Sequence, residues 1–435
     1  MPRLAASAAD VRALSVRYNR PNGSPTLRFL VLVGGLSIFG PLCIDMYLPA
    51  LPKITENLHA SASAVQFSLT TCLVGIGCGQ LVYGTVSDRL GRRRPLLFGL
   101  GVFVVASLCC SIAPNATLLA LLRFFQGLGG AAGIVISRAI VRDLFEGVNA
   151  AKVFSMLMLV TGLGPVLAPQ IGAELLVLTS WRGVFVTLAV AGSALLVVAA
   201  VRIPETLSGD LRTEAGFGTV VRTMRRVGTS LSFLQNALSA SLGFGAVFAY
   251  VAGAAFVFEN VYHATPQQFG LLFAMNAVGL IAASQVNAHI VGRFGAERIM
   301  TRGLAGMAVS TALLLIFVTT RFGGITAVLI CMFAAMSSNG FIGPNAIALS
   351  LQDFPDVAGS ASALLGLSQF GLGAVIAPIV GLGGSHDAFP MALAMASLGV
   401  GGLLVRLLLM RRSASVHEDR LVAANCLTPK PLEID

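Results

Sequence analysis

The chain has 435 residues, 56% of them hydrophobic and 11% charged, with a mean hydropathy of +0.84. Soluble domains carry about 25% charged residues, so this chain lacks the charge to cover a water-facing surface. Its formal net charge is +10, but the basic residues punctuate the gaps between apolar runs instead of gathering on one tail or face, which argues against a nucleic-acid partner.

A helix rises about 1.5 Å per residue, so crossing a ~30 Å hydrocarbon core takes about 20 residues. Residues 1–26 are polar, carry Arg3, Arg12, Arg17 and Arg20, and predict a cytoplasmic tail. The apolar run that follows exceeds the roughly 7–15 residues of a secretion-signal core. It leads into Pro49-Ala50-Leu51-Pro52 and not into a cleavage site, so it is expected to be retained. Spans 1 to 6 are predicted at 27–49, 64–86, 95–113, 117–141, 152–177 and 181–203. A charged linker, 204–229, is too polar to cross. Spans 7 to 12 are predicted at 230–258, 267–291, 300–319, 323–350, 358–382 and 388–410, with 411–435 as a second cytoplasmic tail. The expectation is an all-α membrane protein of twelve transmembrane helices, in two pseudo-symmetric six-helix halves at 27–203 and 230–410.

Orientation follows from the basic residues. With the N-terminus inside, the outer loops receive only Lys53, Arg182 and Arg321, Arg123 lies within span 4, and the others fall on the inner side. Both termini are therefore expected in the cytoplasm. Two halves are also written in an internal repeat. Gly164-Pro-Val-Leu-Ala-Pro169-Gln-Ile-Gly172 returns as Gly373-Ala-Val-Ile-Ala-Pro378-Ile-Val-Gly381, and Arg89-Leu-Gly91 returns as Arg293-Phe-Gly295. Such repeats suit a transporter with a midplane site between the halves.

Six of the seven cysteines lie in apolar stretches, where a thiol acts as a small hydrophobe, and none shows metal-ligand spacing with histidine. The glycine runs Gly75-x-Gly77-x-Gly79 and Gly127-x-Gly129-Gly130 lack the Lys-Ser/Thr of a phosphate loop and suit close helix packing. No metal, cofactor or nucleotide-driven motor is expected, nor enzymatic activity, since no nucleophile–base pair stands out.

Between spans 2 and 3 lies Gly84-Thr-Val-Ser-Asp88-Arg89-Leu-Gly91-Arg92-Arg93-Arg94, with four arginines in six positions. This loop is similar to the cytoplasmic loop motif of the major facilitator superfamily. Arg123-Phe-Phe-Gln126-Gly127-Leu-Gly129-Gly130 on span 4 resembles the motif of its proton-coupled members. Gly162, Gly164, Pro165, Pro169 and Gly172 on span 5 resemble its antiporter motif, although Ala168 and Ala173 replace two usual glycines. Gly40-Pro41-Leu-Cys-Ile-Asp45-Met46-Tyr47-Leu-Pro49-Ala-Leu-Pro52 on span 1 is similar to the signature of the Bcr/CflA-type drug-resistance exporters, and the stretch from Asp353 to Gly359 also looks like that family.

The resemblance implies a monomeric drug:proton antiporter of a bacterial inner membrane, whose partners are lipid, protons and a small amphipathic substrate such as bicyclomycin or a phenicol. It also implies that the Gly84, Asp88, Arg89, Gly91 and Arg92 loop is a conformational latch, and that Gly164, Pro165, Pro169 and Gly172 pack helices. A metabolite exporter, or a sensor that kept the fold, would share these spans.

An acid in a span costs about 2.5–3.5 kcal/mol on insertion scales, so Asp45 should face a cavity or a partner. Arg123 lies at a similar depth, and an Asp45–Arg123 pair is expected, direct or through Gln126 or water, as the proton-coupling unit or as a fixed structural ion pair. Arg138, at the inner end of span 4, reads as an interfacial snorkel. Tyr47, Gln126, Asn236, Tyr250, Asn276 and Asn339 are candidate cavity residues, although interhelical bonding is an equally ordinary role for them.

Overall fold

A computed structural model of the chain describes residues 27–145, 147–207, 217–354 and 357–427. Within them, twelve helices are long and apolar enough to cross a membrane. Spans 1 to 6 are Leu27–Asp45, Ala62–Leu90, Arg93–Ser111, Ala116–Leu144, Gly147–Leu178 and Trp181–Arg202. Spans 7 to 12 are Leu231–Phe256, Pro266–Phe294, Ala296–Thr320, Gly324–Leu351, Ala358–Gly381 and Phe389–Leu427. The helix Phe217–Gly228 lies in the linker. The N-terminal tail 1–26, linker residues 208–216, Asp356 and the last residues 428–435 lie outside the described residues.

Hydrocarbon offers no hydrogen bonds, so each apolar run closes its own backbone ladder, and polar residues set the ends. The Asn115 carboxamide accepts from Leu118 N (2.8 Å) to start span 4. Thr265 and Gln268 form a reciprocal capping box at span 8, with Pro266 in its first turn. Spans 2 and 8 both stop at a glycine of positive φ, Gly91 (+90°) and Gly295 (+79°). The repeat seen in the sequence is thus repeated in the backbone.

Span 1 departs from expectation. Its α-helix ends at Asp45, passes through a 3-10 turn Leu48–Ala50 and resumes as Leu51–Asn57. Pro49 has no N–H to give the carbonyl of Asp45, and its ring collides with that carbonyl in a continuous helix. The break needs room, and Gly172 on span 5 supplies it: a Cβ there would overlap the Met46 carbonyl. Span 12 also outruns its predicted end, so the C-terminal tail begins as helix.

Spans 2 and 4 meet backbone to backbone. A Cβ on Gly75 would strike the Phe124 carbonyl, and one on Gly127 would strike the Cys72 carbonyl, so these glycines serve close packing. Among the described residues, the hydrogen bonds between the halves lie toward the end opposite the arginine-rich loop. There Ser63 Oγ donates to the Pro378 carbonyl (3.1 Å), Gln66 Nε2 to Ala252 O (2.9 Å) and Thr70 Oγ1 to Ala374 O (2.6 Å). Gly381 admits Ser63 and Gln66 to this seam, and Gly270 admits Gln170 from span 5. Toward the arginine-rich face the halves separate around a cavity of about 850 Å³.

Candidate functional site

Arg123 is fully buried inside the first half. Its Nη1 donates to the Cys43 carbonyl (2.7 Å) and to Gln126 Oε1 (2.6 Å), and Gln126 Nε2 in turn donates to Ser107 Oγ (2.8 Å). The guanidinium lies 4.6 Å from the Tyr47 ring centroid and 5.8 Å from that of Phe185, a cation–π cradle. Among the described residues its Nε and Nη2 have no hydrogen-bond partner. Cys43 O belongs to the last turn of span 1, where carbonyls lose their helical partners and the dipole is negative. Arg123 therefore caps the broken helix, and such a charged hydrogen bond contributes about 1.5–3 kcal/mol.

Asp45 is the last residue of that helix and lines the cavity, only 7% exposed. Among the described residues no cation pairs with it. The expected Asp45–Arg123 side-chain pair is thus not formed in this conformation. The helix stops at Asp45, which turns its carboxylate to the cavity, while Arg123 points into the interior of the half. Their connection runs through backbone, from the Cys43 carbonyl two residues along.

Three of the six candidate cavity residues line the cavity: Tyr250, Asn276 and Asn339. Asn276 Nδ2 donates to the Tyr250 hydroxyl (2.8 Å). The other three lie elsewhere. Tyr47 is buried with its hydroxyl on Ser68 (2.7 Å), and Gln126 is spent on Arg123 and Ser107. Asn236 receives Arg406 Nη1 through Oδ1 (2.5 Å), inside the second half. The remaining walls are unequal. Spans 7 and 11 contribute Phe244, Phe248 and Phe370, with mutual centroid distances of 5.1, 5.7 and 6.0 Å. Charged groups on the wall, Asp45, Asp88, Arg92, Arg138 and Arg142, all come from the first half.

A twelve-span bundle split around one central cavity invites comparison with known transporters. The sequence pattern of the Major Facilitator Superfamily matches residues 33–378. The chain belongs to that superfamily. It is a membrane transporter and not an enzyme. It is 40% identical to an uncharacterized MFS-type transporter, YdgK, of Bacillus subtilis (strain 168), over 89% of this chain and 96% of that one. It is 31% identical to a bicyclomycin resistance protein homolog of Haemophilus influenzae, over 89% and 97% of the two chains. A crystal structure of peptide transporter POT in complex with sulfate superposes with a TM-score of 0.74 at 13% identity, over 94% of this chain and 99% of that one. The partially occluded inward-open xylose transporter XylE of E. coli gives 0.65 at 15% identity, over 87% and 97%. At such identities the two structures share the fold alone.

The superfamily's loop motif is here a charge cluster built around one buried arginine. Arg92 is 2% exposed and bonds Asp88 (2.5 Å), Ser87 Oγ (3.1 Å) and both oxygens of Asp143 on span 4 (2.8 and 3.3 Å). Burial alone would make the Arg92 guanidinium easier to deprotonate, but Asp143 and Asp88 outweigh it and hold the proton above the ordinary arginine range. Asp88 also reaches Arg142 at 4.0 Å. Glu205, just beyond span 6, accepts from the backbone N–H of Arg92 (2.7 Å) and Arg93 (3.3 Å). A Cβ on Gly91 would collide with that carboxylate.

Asp143 and Glu205 escape the sequence reading. Their signal is an acid on the face where positive charge collects, and each turns out to neutralise a loop arginine or its backbone. The partial copy at Arg293 lacks the aspartate, and the second half builds a different cluster there. In it Arg406, 1% exposed, binds Glu297 (3.3 Å) as well as Asn236. On span 5, Gly164 packs on Pro41 and Gly172 on the span 1 break, while Pro165 and Pro169 lie within the helix.

Proposed function

We propose that the protein exports small amphipathic compounds in exchange for protons by alternating access, as a monomer in a bacterial inner membrane with both termini in the cytoplasm. One observation carries this reading: a lone carboxylate, Asp45, stands at a helix break on the wall of a cavity that is sealed on the other side. On the proposed orientation the described conformation faces the cytoplasm, ready to load.

A carboxylate enclosed in low dielectric without a partner is strongly disfavoured as an anion. The halves can close around Asp45 only when it is neutralised, by a proton or by the cationic part of a substrate. Each enclosed passage then carries one or the other, and exchange follows. Arg123 holds the end of span 1 in place while this happens, and the arginine-rich loop, with Gly84, Asp88, Arg89, Gly91 and Arg92, sets the balance between the two facing states. The relatives named for bicyclomycin and multidrug resistance support amphipathic drugs as the cargo.

The test is Asp45→Asn in proteoliposomes with an imposed pH gradient. The variant should lose gradient-driven accumulation, by about tenfold or more, and keep substrate counterflow, because a permanently neutral side chain still lets the halves close. Accumulation that still follows the pH gradient in Asp45→Asn would refute proton coupling at this residue.

A further inference from the structure

Arg138, read from the sequence as an interfacial snorkel, lines the cavity. It is exposed to the cavity from span 4, and among the described residues no carboxylate pairs with it. The other cavity arginines differ: Arg92 is bound by Asp88 and Asp143, and Arg142 lies 4.0 Å from Asp88. Arg138 is thus a free guanidinium in a largely apolar chamber that also holds a free carboxylate. An uncompensated charge inside a membrane span points to a ligand that compensates it.

The spacing of the two charges follows from one contact. Ser137, the neighbour of Arg138, meets Ser37 of span 1 at 2.8 Å between hydroxyls. Asp45 lies further along the same helix, about 12 Å beyond Ser37 at 1.5 Å per residue. Helical side chains lean toward the N-terminus of their helix, and on span 4 that is the end nearer Asp45, where Arg123 meets Cys43. Facing it across the cavity is the Phe244, Phe248 and Phe370 cluster.

We infer that Arg138 binds the anionic group of an amphipathic zwitterion, whose amine is directed to Asp45 and whose aromatic body rests on the phenylalanine wall. The chemistry selected is an amine and a carboxylate at opposite ends of a flat, rigid frame. This rests on the proposal that the cavity is the substrate site, but not on proton coupling.

The matched probes are 6-(aminomethyl)-2-naphthoic acid, its methyl ester, which keeps only the amine, and its N-acetyl derivative, which keeps only the carboxylate. Binding to the purified full-length protein in nanodiscs is read from naphthalene fluorescence anisotropy, with no gradient present. Wild type should bind the acid about tenfold or more tighter than the ester, as expected for one charge-assisted contact. Arg138→Gln should abolish that preference and leave ester affinity and thermal unfolding unchanged, while Arg138→Lys should restore part of it. The N-acetyl compound should weaken in Arg138→Gln and be indifferent to Asp45→Asn.

The inference is overturned if wild type does not prefer the acid, undetectable binding of both compounds included, or if Arg138→Gln weakens acid and ester alike. A failure of proton coupling would appear only in the gradient-driven assay and would leave these affinities as they are.

Discussion

Two residues of opposite charge, Asp45 and Arg123, stand near one another without touching, and the reason is local. Pro49 ends the helix at Asp45, and Arg123 attends to the carbonyl that the ending leaves free (2.7 Å to Cys43 O). Arg123 is therefore a positioning residue for the break. Replacing it by methionine removes a buried cation with two unpaired nitrogens, and it also strips a donor from Cys43 O and Gln126 Oε1. These effects on stability oppose each other, since buried charges are often replaceable by apolar groups. Arg123→Met should then fold, with a melting temperature within a few degrees of wild type, roughly 1 kcal/mol for a chain of this size. Its pH-driven transport should fall about tenfold or more while counterflow persists. A loss of both activities together with the fold would remove the distinction. That a charged pair belonged in this region was legible from the cost of Asp and Arg within apolar runs. That they do not pair was not, because hydropathy gives depth along a helix and says nothing of rotation or of where the helix breaks.

At the scale of elements, all twelve spans can be read from length and hydropathy, because lipid leaves helix as the only conformation for an isolated apolar run. The repeat also survives into three dimensions, through Gly91 and Gly295 at equivalent turns. What the sequence obscures is how elements recognise one another. Gly172 looks like a motif glycine, and its use appears only when the Met46 carbonyl is seen against it, with Pro49 3.2 Å from where a Cβ would stand. Gly172→Val should push span 5 off the break, displace Asp45, and cost about 1–3 kcal/mol as an overpacked contact. The readouts are a lowered thermal transition and a loss of gradient-driven accumulation, with Gly162→Ala as the control, since a Cβ there meets only ordinary contacts with Ile281. An active and equally stable Gly172→Val would show that the close approach is dispensable. Asp143 and Glu205 belong at this scale too: each is an unremarkable acid in the chain, and each becomes meaningful through partners more than 50 residues away.

At the scale of the whole molecule, the two halves touch at one end and part at the other. The sealed end carries hydrogen bonds and close glycine contacts between the halves, and the proposed alternating access requires this seam to open. Thr70 and Ala374 face each other across it at 2.6 Å from hydroxyl to carbonyl. A double variant, Thr70→Cys with Ala374→Cys, should be joined through two reducible disulfides by a short bis-methanethiosulfonate cross-linker and held with its cavity toward the arginine-rich face. Transport should stop and return on reduction, and neither single variant should respond. Full transport by the cross-linked protein would mean that this seam does not need to open.

The sequence by itself determined the membrane class, the twelve spans, the two-fold repeat, the superfamily and the unusual standing of Asp45 and Arg123. Each of these rests on composition, on spacing along one chain, or on the cost of charge in hydrocarbon. Only the tertiary structure decided that span 1 breaks at Asp45, that Arg123 caps the break, that Tyr47, Gln126 and Asn236 are interior while Arg138 is open to the cavity, and which end of the molecule is sealed. These depend on the rotation of helices about their axes and on carbonyls freed by a broken ladder, and neither is encoded in the hydropathy of any single span.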